Sequence, residues 1–494
     1  MGIVKKQSAI NSILIYTGFI IGYVNVAFLL PKFLLPSQIG ARETIMAFVI
    51  LLAQIGVMGN AASIIKFFPN LRHYNRHGLL GFFIFLSIIF VTLSFIGLHF
   101  ISPYIVKSYQ ENAPIFSKYY YLIYPITLFF VFNIIFESFC RSLLLTHVPV
   151  FLKEILQRII TSILLLGHGL GLYDFKVFIE AFAYSYAITT IILLLYLITK
   201  GNQTIFFRWK LVRHINITPL LMFSGFSLLT GLSSLTVTQI DKLMISQLVS
   251  DGATGIYAIA IYLATLIEAP RRAISMTISP LIAQAWKIND YIQLNKIYKQ
   301  ISINQQLIGS LLLCLLWINI DNVFKMIPNN NIYSTGKYVV LFFGVSKLTD
   351  MTFGANSEMI AYSKWYRFNF YTTILLAVLT IVSNLLLIPT YGINGAALAS
   401  LISLVLFNII KYLFIWKKIN LHAFNLNTLK LVIITLFLVW LSSFLPSFKY
   451  FIVDIIIKSL LFGTSYLFLT YQSKASNEYN DIIDSLINKL LKRI

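Results

Sequence analysis

The residues that invite a chemical reading stand close together. Glu268, Pro270, Arg271 and Arg272 interrupt an otherwise apolar run, TGIYAIAIYLATLIEAPRRAISMTISPLIAQAW, that begins at Thr254. Helical neighbours recur three, four and seven residues apart, so Glu268, Arg271, Arg272, Ser275 and Ser279 are expected on one face. An unpaired charge inside a membrane is costly, so that face must look at other helices or at water. The chemistry it offers is recognition of an ion, and the face is expected to line a substrate cavity.

Other ionisable groups fall inside apolar stretches in the same way. Arg42 and Glu43 open one stretch and Lys66 lies toward its end; Asp241 and Lys242 close another. Asn133, Glu137 and Arg141 form a single stripe at steps of four, readable either as an ion pair that fixes helix packing or as a cavity wall. Lys347, Asp350, Gly354 and Glu358 share a face further on. The carboxylates Asp241, Asp350 and Glu358 are candidates for a coupling-ion site, and paired structural charges are the competing reading.

The elements that must position these groups are membrane helices. The chain has 494 residues, 11% of them charged, where a soluble domain carries roughly 25%. Its mean hydropathy is +0.81. At about 20 residues per crossing, about fourteen spans are expected, centred near 19, 48, 89, 128, 160, 187, 228, 263, 313, 351, 378, 403, 437 and 461. The expected class is an all-α integral membrane protein. Basic residues gather in alternate connections: Lys5 and Lys6, Arg72 and Arg76, Lys200 to Arg213, Lys287 to Lys299, Lys364 and Arg367, Lys417 and Lys418, and Lys489 to Arg493. By the positive-inside rule both termini are expected in the cytoplasm. No cleavable signal is visible, because Lys5-Lys6 leads straight into a long first span.

Two weak internal matches suggest a repeat. An offset of 211 places Ile45, Ala47, Leu52, Ala53, Ala62 and Pro69 on Ile256, Ala258, Leu263, Ala264, Ala273 and Pro280. His168-Gly169-Leu170-Gly171-Leu172 and Pro389-Thr390-Tyr391-Gly392-Ile393 both precede a helix start rich in small residues. The expected organisation is one six-helix lobe over 1–215 and a second over 216–425. Two extra spans and an amphipathic tail over 426–494 complete it, with the tail lying on the anionic inner leaflet. Transporters built from repeats bind substrate between them.

Several function classes are excluded or disfavoured. The net charge of +21 is scattered between spans, so nucleic acid is not the expected partner. There is no GxxxxGK[ST] loop, no HExxH and no GxSxG. Cys140 and Cys314 both lie in apolar spans and read as buried thiols. Outer loops are too short to carry the catalytic groups of a membrane glycosyltransferase. No enzyme activity, cofactor or metal is expected.

The runs QIDKLMISQLVSD, GATGIYAIAIYLA, EAPRRAISMTISPLIAQAW and PTYGINGAALASLIS resemble polysaccharide flippases. These are the O-antigen and exopolysaccharide exporters of the multidrug/oligosaccharidyl-lipid/polysaccharide (MOP) superfamily. The resemblance implies two six-helix lobes working by alternating access. It implies an undecaprenyl-pyrophosphate-linked oligosaccharide carried from the cytoplasmic to the periplasmic leaflet of the bacterial inner membrane, with membrane lipids and polysaccharide polymerase machinery as partners. Drug antiporters of the same superfamily use membrane carboxylates, one of them in the first span, and this first span has none. Arg42, Lys66, Arg141, Arg271 and Arg272 suit an anionic pyrophosphate, which arginine binds bidentately. Arg271 and Arg272, then Arg42, Glu268, Arg141 and Lys66, are the expected substrate contacts.

Overall fold

The computed structural model describes residues 2–71, 79–201, 217–446 and 448–491; the side chains of 2–9, 69–71, 217, 272, 273, 276, 486, 490 and 491 are outside that description. Every regular element among the described residues is a helix. Ten helices are long and apolar enough to cross a membrane, which makes this a multi-pass membrane protein. Internal contacts divide the chain into two compact units, Met1–Ala258 and Ile259–Ile494.

Unit one contains α1 (Gly2–Val24), a π turn (Asn25–Leu29), α2 (Leu30–Phe33), α3 (Pro36–Val57), α4 (Asn60–Leu71) and α5 (Leu79–Tyr109). It continues through α6 (Pro114–Tyr119), α7 (Ile123–Ser142), α8 (His147–Phe151), α9 (Gln157–Gly169), α10 (Phe175–Thr199), α11 (Ile217–Leu248) and the start of α12 (Asp251–Ala264). Pro36 starts α3 at the first helical position, where its missing N–H costs nothing. Phe139 of α7 packs edge-on against Phe68 of α4 and Phe83 of α5, each at 5.8 Å between ring centres.

The second expected span does not run unbroken to Pro69. Met58 (φ 47°) and Gly59 (φ 70°) turn left-handed and separate α3 from α4. Gly59 lies against α11, where an added Cβ would sit 2.1 Å from the Ser224 carbonyl oxygen. One turn on, the Ser63 and Ser224 hydroxyls share a 2.6 Å hydrogen bond. Close backbone approach thus overrides the apolar periodicity of the stretch.

The expected fifth span is also interrupted, by a π turn over Leu152–Leu156. Arg158 donates to the Gly18 carbonyl at 2.5 Å and to Glu154 at 2.6 Å. It ties α9 back to α1.

Unit two takes the rest of α12, a 3₁₀ turn (Thr265–Glu268), α13 (Ala269–Lys287), α14 (Tyr291–Ile318), α15 (Ile320–Met326) and α16 (Asn330–Tyr333). It continues with α17 (Lys337–Thr352), α18 (Asn356–Ala361), α19 (Tyr366–Ile419), α20 (Leu426–Ser442), α21 (Phe451–Gln472) and α22 (Asn477–Leu491). Asp290 caps α14 by accepting from the Gln293 N–H at 2.9 Å, and Asn425 caps α20 through the Thr428 N–H at 3.1 Å.

α19 is two antiparallel arms. Its backbone leaves the helical region at Gly392 (φ 57°, ψ −133°). Ser383 and Ser403 lie twenty residues apart, which a straight helix would separate by about 30 Å, yet their hydroxyls are 3.5 Å apart. The chain therefore doubles back at Gly392, and the spans expected near 378 and 403 are its two arms.

The stretches near 160 and 351 are helical but broken, and α20 has 17 residues. Fourteen crossings are therefore more than the uninterrupted helices supply. The tail helix α22 forms where its amphipathic pattern places it, with Ile482 and Ile487 exposed. The basic connections at 72–78 and 202–216 and the end of the tail at 492–494 lie outside the described residues.

Candidate functional site

In unit two the break in the apolar run brings charges together in pairs. The 3₁₀ turn ends at Glu268, and Pro270 restarts the helix as α13. Glu268 pairs with Lys347 of α17 at 2.8 Å. Arg271 pairs with Asp350, one turn further along α17. Two pairs stacked one turn apart weld α13 to α17. These four side chains are between 14 and 18% exposed, so each charge has little water and depends on its partner.

The Arg271–Asp350 pair is the head of a longer polar chain. Asp350 also accepts from Asn408 Nδ2 at 3.1 Å, on the second arm of α19. The Asn408 side-chain oxygen accepts from Asn356 at 3.4 Å, and Asn356 in turn accepts from the Tyr298 hydroxyl. Five elements meet along this chain: α13, α14, α17, α18 and α19. Ser275 and Ser279, expected to extend the charged face, are satisfied locally, the Ser279 hydroxyl donating to the Ser275 carbonyl at 2.8 Å. The Arg272 side chain lies outside the described residues.

Glu358, of α18, contrasts with its fellow carboxylates. Its Oε2 is buried and has no hydrogen-bond partner among the described residues. Asp350 is held by Arg271 and Asn408. In unit one Asp241 is buried and accepts from the Tyr257 hydroxyl at 2.6 Å.

Unit one has its own charged cluster. Glu43 of α3 bridges Arg42 at 3.0 Å and Lys242 of α11 at 2.7 Å. The Arg42 guanidinium lies 4.6 Å from the centre of the Phe182 ring of α10, a cation–π contact. Arg141 pairs with Glu137 one turn away and is 55% exposed; Lys153 approaches the same carboxylate at 3.9 Å. That stripe borders a cleft with Asn133, Gln157, Tyr186 and Thr189. Lys66 is exposed and sits 3.8 Å from the Phe223 ring centre.

Unit one also contains a tight crossing. Gly40 of α3 and Gly255 of α12 let the two helix starts touch: a Cβ on Gly40 would lie 1.7 Å from the Asp251 carbonyl oxygen, and one on Gly255 2.0 Å from that of Pro36. The Asp251 carboxylate accepts from the Ile115 and Phe116 N–H groups at 3.1 and 3.2 Å, capping α6. Asn112 donates to the Gln247 carbonyl at 2.8 Å, and the Tyr109 hydroxyl to that of Leu243 at 3.0 Å.

Solved structures share this fold. A lipid II flippase MurJ in an inward closed conformation aligns over 96% of this chain and 99% of its own, with a TM-score of 0.75 at 15% identity. An inward-facing MATE-family multidrug transporter of the MOP superfamily aligns over 81% of this chain and 94% of its own, at 14% identity and a TM-score of 0.62. The Vibrio cholerae MATE transporter VcmN covers 85% and 98%, at 15% identity and a TM-score of 0.53. At these identities the likeness is one of fold, which this chain shares with all three proteins. No protein-family profile and no curated protein matches its sequence.

Tyr298, Asn356 and Asn408 of the polar chain escaped the sequence reading, and so did Lys411, on the same arm of α19 as Asn408. The signal was present as a lone lysine inside the apolar run LISLVLFNIIKYLFIW, two turns before the terminal Lys417-Lys418 pair.

Proposed function

We propose that this protein is a flippase for a lipid-linked oligosaccharide. The observation that carries the reading is the end-to-end fold likeness to a lipid II flippase, over 96% of this chain against 81% for the MATE-family transporter. In this reading fourteen passes form two six-helix lobes, 1–215 and 216–425, followed by two more passes and the tail over 426–494. Both termini face the cytoplasm and the protein resides in the bacterial inner membrane. The substrate is an undecaprenyl-pyrophosphate-linked repeat unit bound for O-antigen, capsule or exopolysaccharide, handed on to the polymerase machinery.

Arg271 and Arg272 are the leading contacts for the pyrophosphate, then Arg42, Glu268, Arg141 and Lys66. Arg271 and Arg42 are already neutralised by carboxylates, so binding at either is an exchange: a pyrophosphate oxygen takes the place of Asp350 or Glu43 on the guanidinium. Moving an anion outward is favoured by an inside-negative potential, by about 2.3 kcal/mol per charge per 100 mV.

The test is extraction of undecaprenyl-linked saccharides from a deletion strain and its parent. Accumulation of a complete pyrophosphate-linked repeat with loss of surface polymer is the expected result. An unchanged lipid pool with intact surface glycan and new drug sensitivity would instead favour a MATE-like cation-coupled antiporter.

A further inference from the structure

The second arm of α19 carries a lysine that the substrate reading leaves without a task. Lys411 is 1% exposed and lies about 9 Å of helix rise before Lys417. Its ammonium donates to Asn369 Oδ1 at 2.7 Å and to Ser357 Oγ at 2.9 Å. The Phe407 ring centre is 3.9 Å away.

Three lysines in the membrane helices that are only partly exposed are held differently. Lys242, Lys347 and Lys458 each touch a carboxylate, at 2.7, 2.8 and 2.8 Å. Lys411 has none within 4.0 Å among the described residues. Glu358 of α18, next to Ser357 in sequence, acts on it through space without an ion pair, and the Arg271 charge of α13 opposes that effect. Asp350 of α17 is occupied by Arg271 and, through Asn408, lies one turn of α19 away from Lys411. Among the described residues, the charges acting on Lys411 are therefore Glu358, whose Oε2 accepts no hydrogen bond, and Arg271, already paired with Asp350.

This setting suits both protonation states of the amine. As an ammonium, Lys411 donates to Ser357 and Asn369. As a neutral amine it still donates to Asn369 Oδ1 while its lone pair accepts from the Ser357 hydroxyl, which can act either as donor or as acceptor. A purely structural strut needs no such reversibility and would be served by a carboxylate partner, as the other three lysines are.

Building on the transport reading, we propose that Lys411, with Glu358 as counter-charge, is the group that takes up and releases a proton coupled to substrate movement. Release leaves a neutral amine beside the Glu358 carboxylate, and uptake restores the ammonium; the proton is exchanged with water on one side of the membrane in each half of the cycle. The site sits wholly within unit two and carries its own cation, so its coupling ion is a proton rather than a metal ion.

The test uses the purified full-length chain in liposomes that enclose a pH-sensitive dye, with the lipid-linked saccharide pool extracted from the deletion strain as substrate. The parent protein is expected to move saccharide about tenfold faster under an imposed pH gradient, with matching proton flux. Lys411→Arg keeps the charge and the donors but cannot deprotonate, so it is expected to equilibrate saccharide between leaflets with no gradient stimulation and no proton flux. Lys411→Gln and Glu358→Gln, checked for folding by melting and elution profile, should behave alike and stand in if the arginine does not fit. Gradient-independent movement by the parent, or parental stimulation in any folded Lys411 variant, overturns the proton site and leaves the flippase reading standing. Absence of saccharide movement in the parent overturns the flippase reading and the proton site together.

Discussion

Removing the Arg271 guanidinium separates a structural role from a binding role. In Arg271→Ala, Asp350 keeps, among the described residues, only the Asn408 hydrogen bond at 3.1 Å and loses the Arg271 counter-charge in a site where it is 14% exposed. Breaking a buried pair from one side costs about 3–5 kcal/mol, and the residual exposure places this pair at the low end, about 3 kcal/mol. That is roughly a hundredfold in the ratio of folded to unfolded protein, about 1.4 kcal/mol being tenfold. The charge-free double variant Arg271→Met with Asp350→Asn leaves no orphaned ion, so most of that loss should return. Thermal unfolding of the detergent-purified protein reads stability, and rescue of surface polymer in a deletion strain reads transport. The expected outcome is a double variant that melts near the parent yet exports nothing. If the double variant also restores export, Arg271 is a strut between α13 and α17 and leaves the list of substrate contacts. If the single variant melts with the parent, the argument that this pair welds the two helices is refuted.

Three further outcomes are expected. Gly40→Ala or Gly255→Ala forces a methyl into a neighbouring backbone carbonyl; overpacking of this kind costs about 1–3 kcal/mol and should lower the melting temperature, whereas Gly392→Ala meets no atoms and should show only the strain of its φ of 57°. Asp251→Ala removes the acceptor of two N–H groups of α6, with a cost of about 1–2 kcal/mol, measured by thermal unfolding, while Asp251→Asn should lose less. Asp454→Ala strands Lys458 and releases Asn322 and the Phe448 N–H; a loss of about 3 kcal/mol or more should make α21 the first helix to exchange amide hydrogens.

Much of this architecture could be read in the chain because lipid makes hydropathy decisive. A charge in an apolar run must find a partner, and the partners at Glu137–Arg141 and Asp454–Lys458 are four residues apart, so the pairs follow from spacing alone. The pairs Arg271–Asp350 and Glu43–Lys242 join residues 79 and 199 positions apart, and no periodicity connects them. The break at Met58-Gly59 was hidden for a related reason: its cause is the Ser224 carbonyl of another helix, not a local breaker such as proline. The candidate cavity face was legible in composition but not in geometry, because the 3₁₀ turn before Pro270 shifts the phase of the helix. Lys411 was masked by the terminal pair Lys417 and Lys418, which made the whole end of that helix look like a membrane boundary.

The reversal at Gly392 also bears on how the protein is made. Almost nothing separates the two arms of α19, and the turn Pro389-Thr390-Tyr391-Gly392 carries no charged residue to hold on the far side of the bilayer. A translocon that released the first arm alone would leave that turn at the exit, with the small residues Gly395, Ala396, Ala397 and Ala399, which are buried in the finished fold, facing lipid tails. The two arms are therefore expected to enter the bilayer together, as one hairpin.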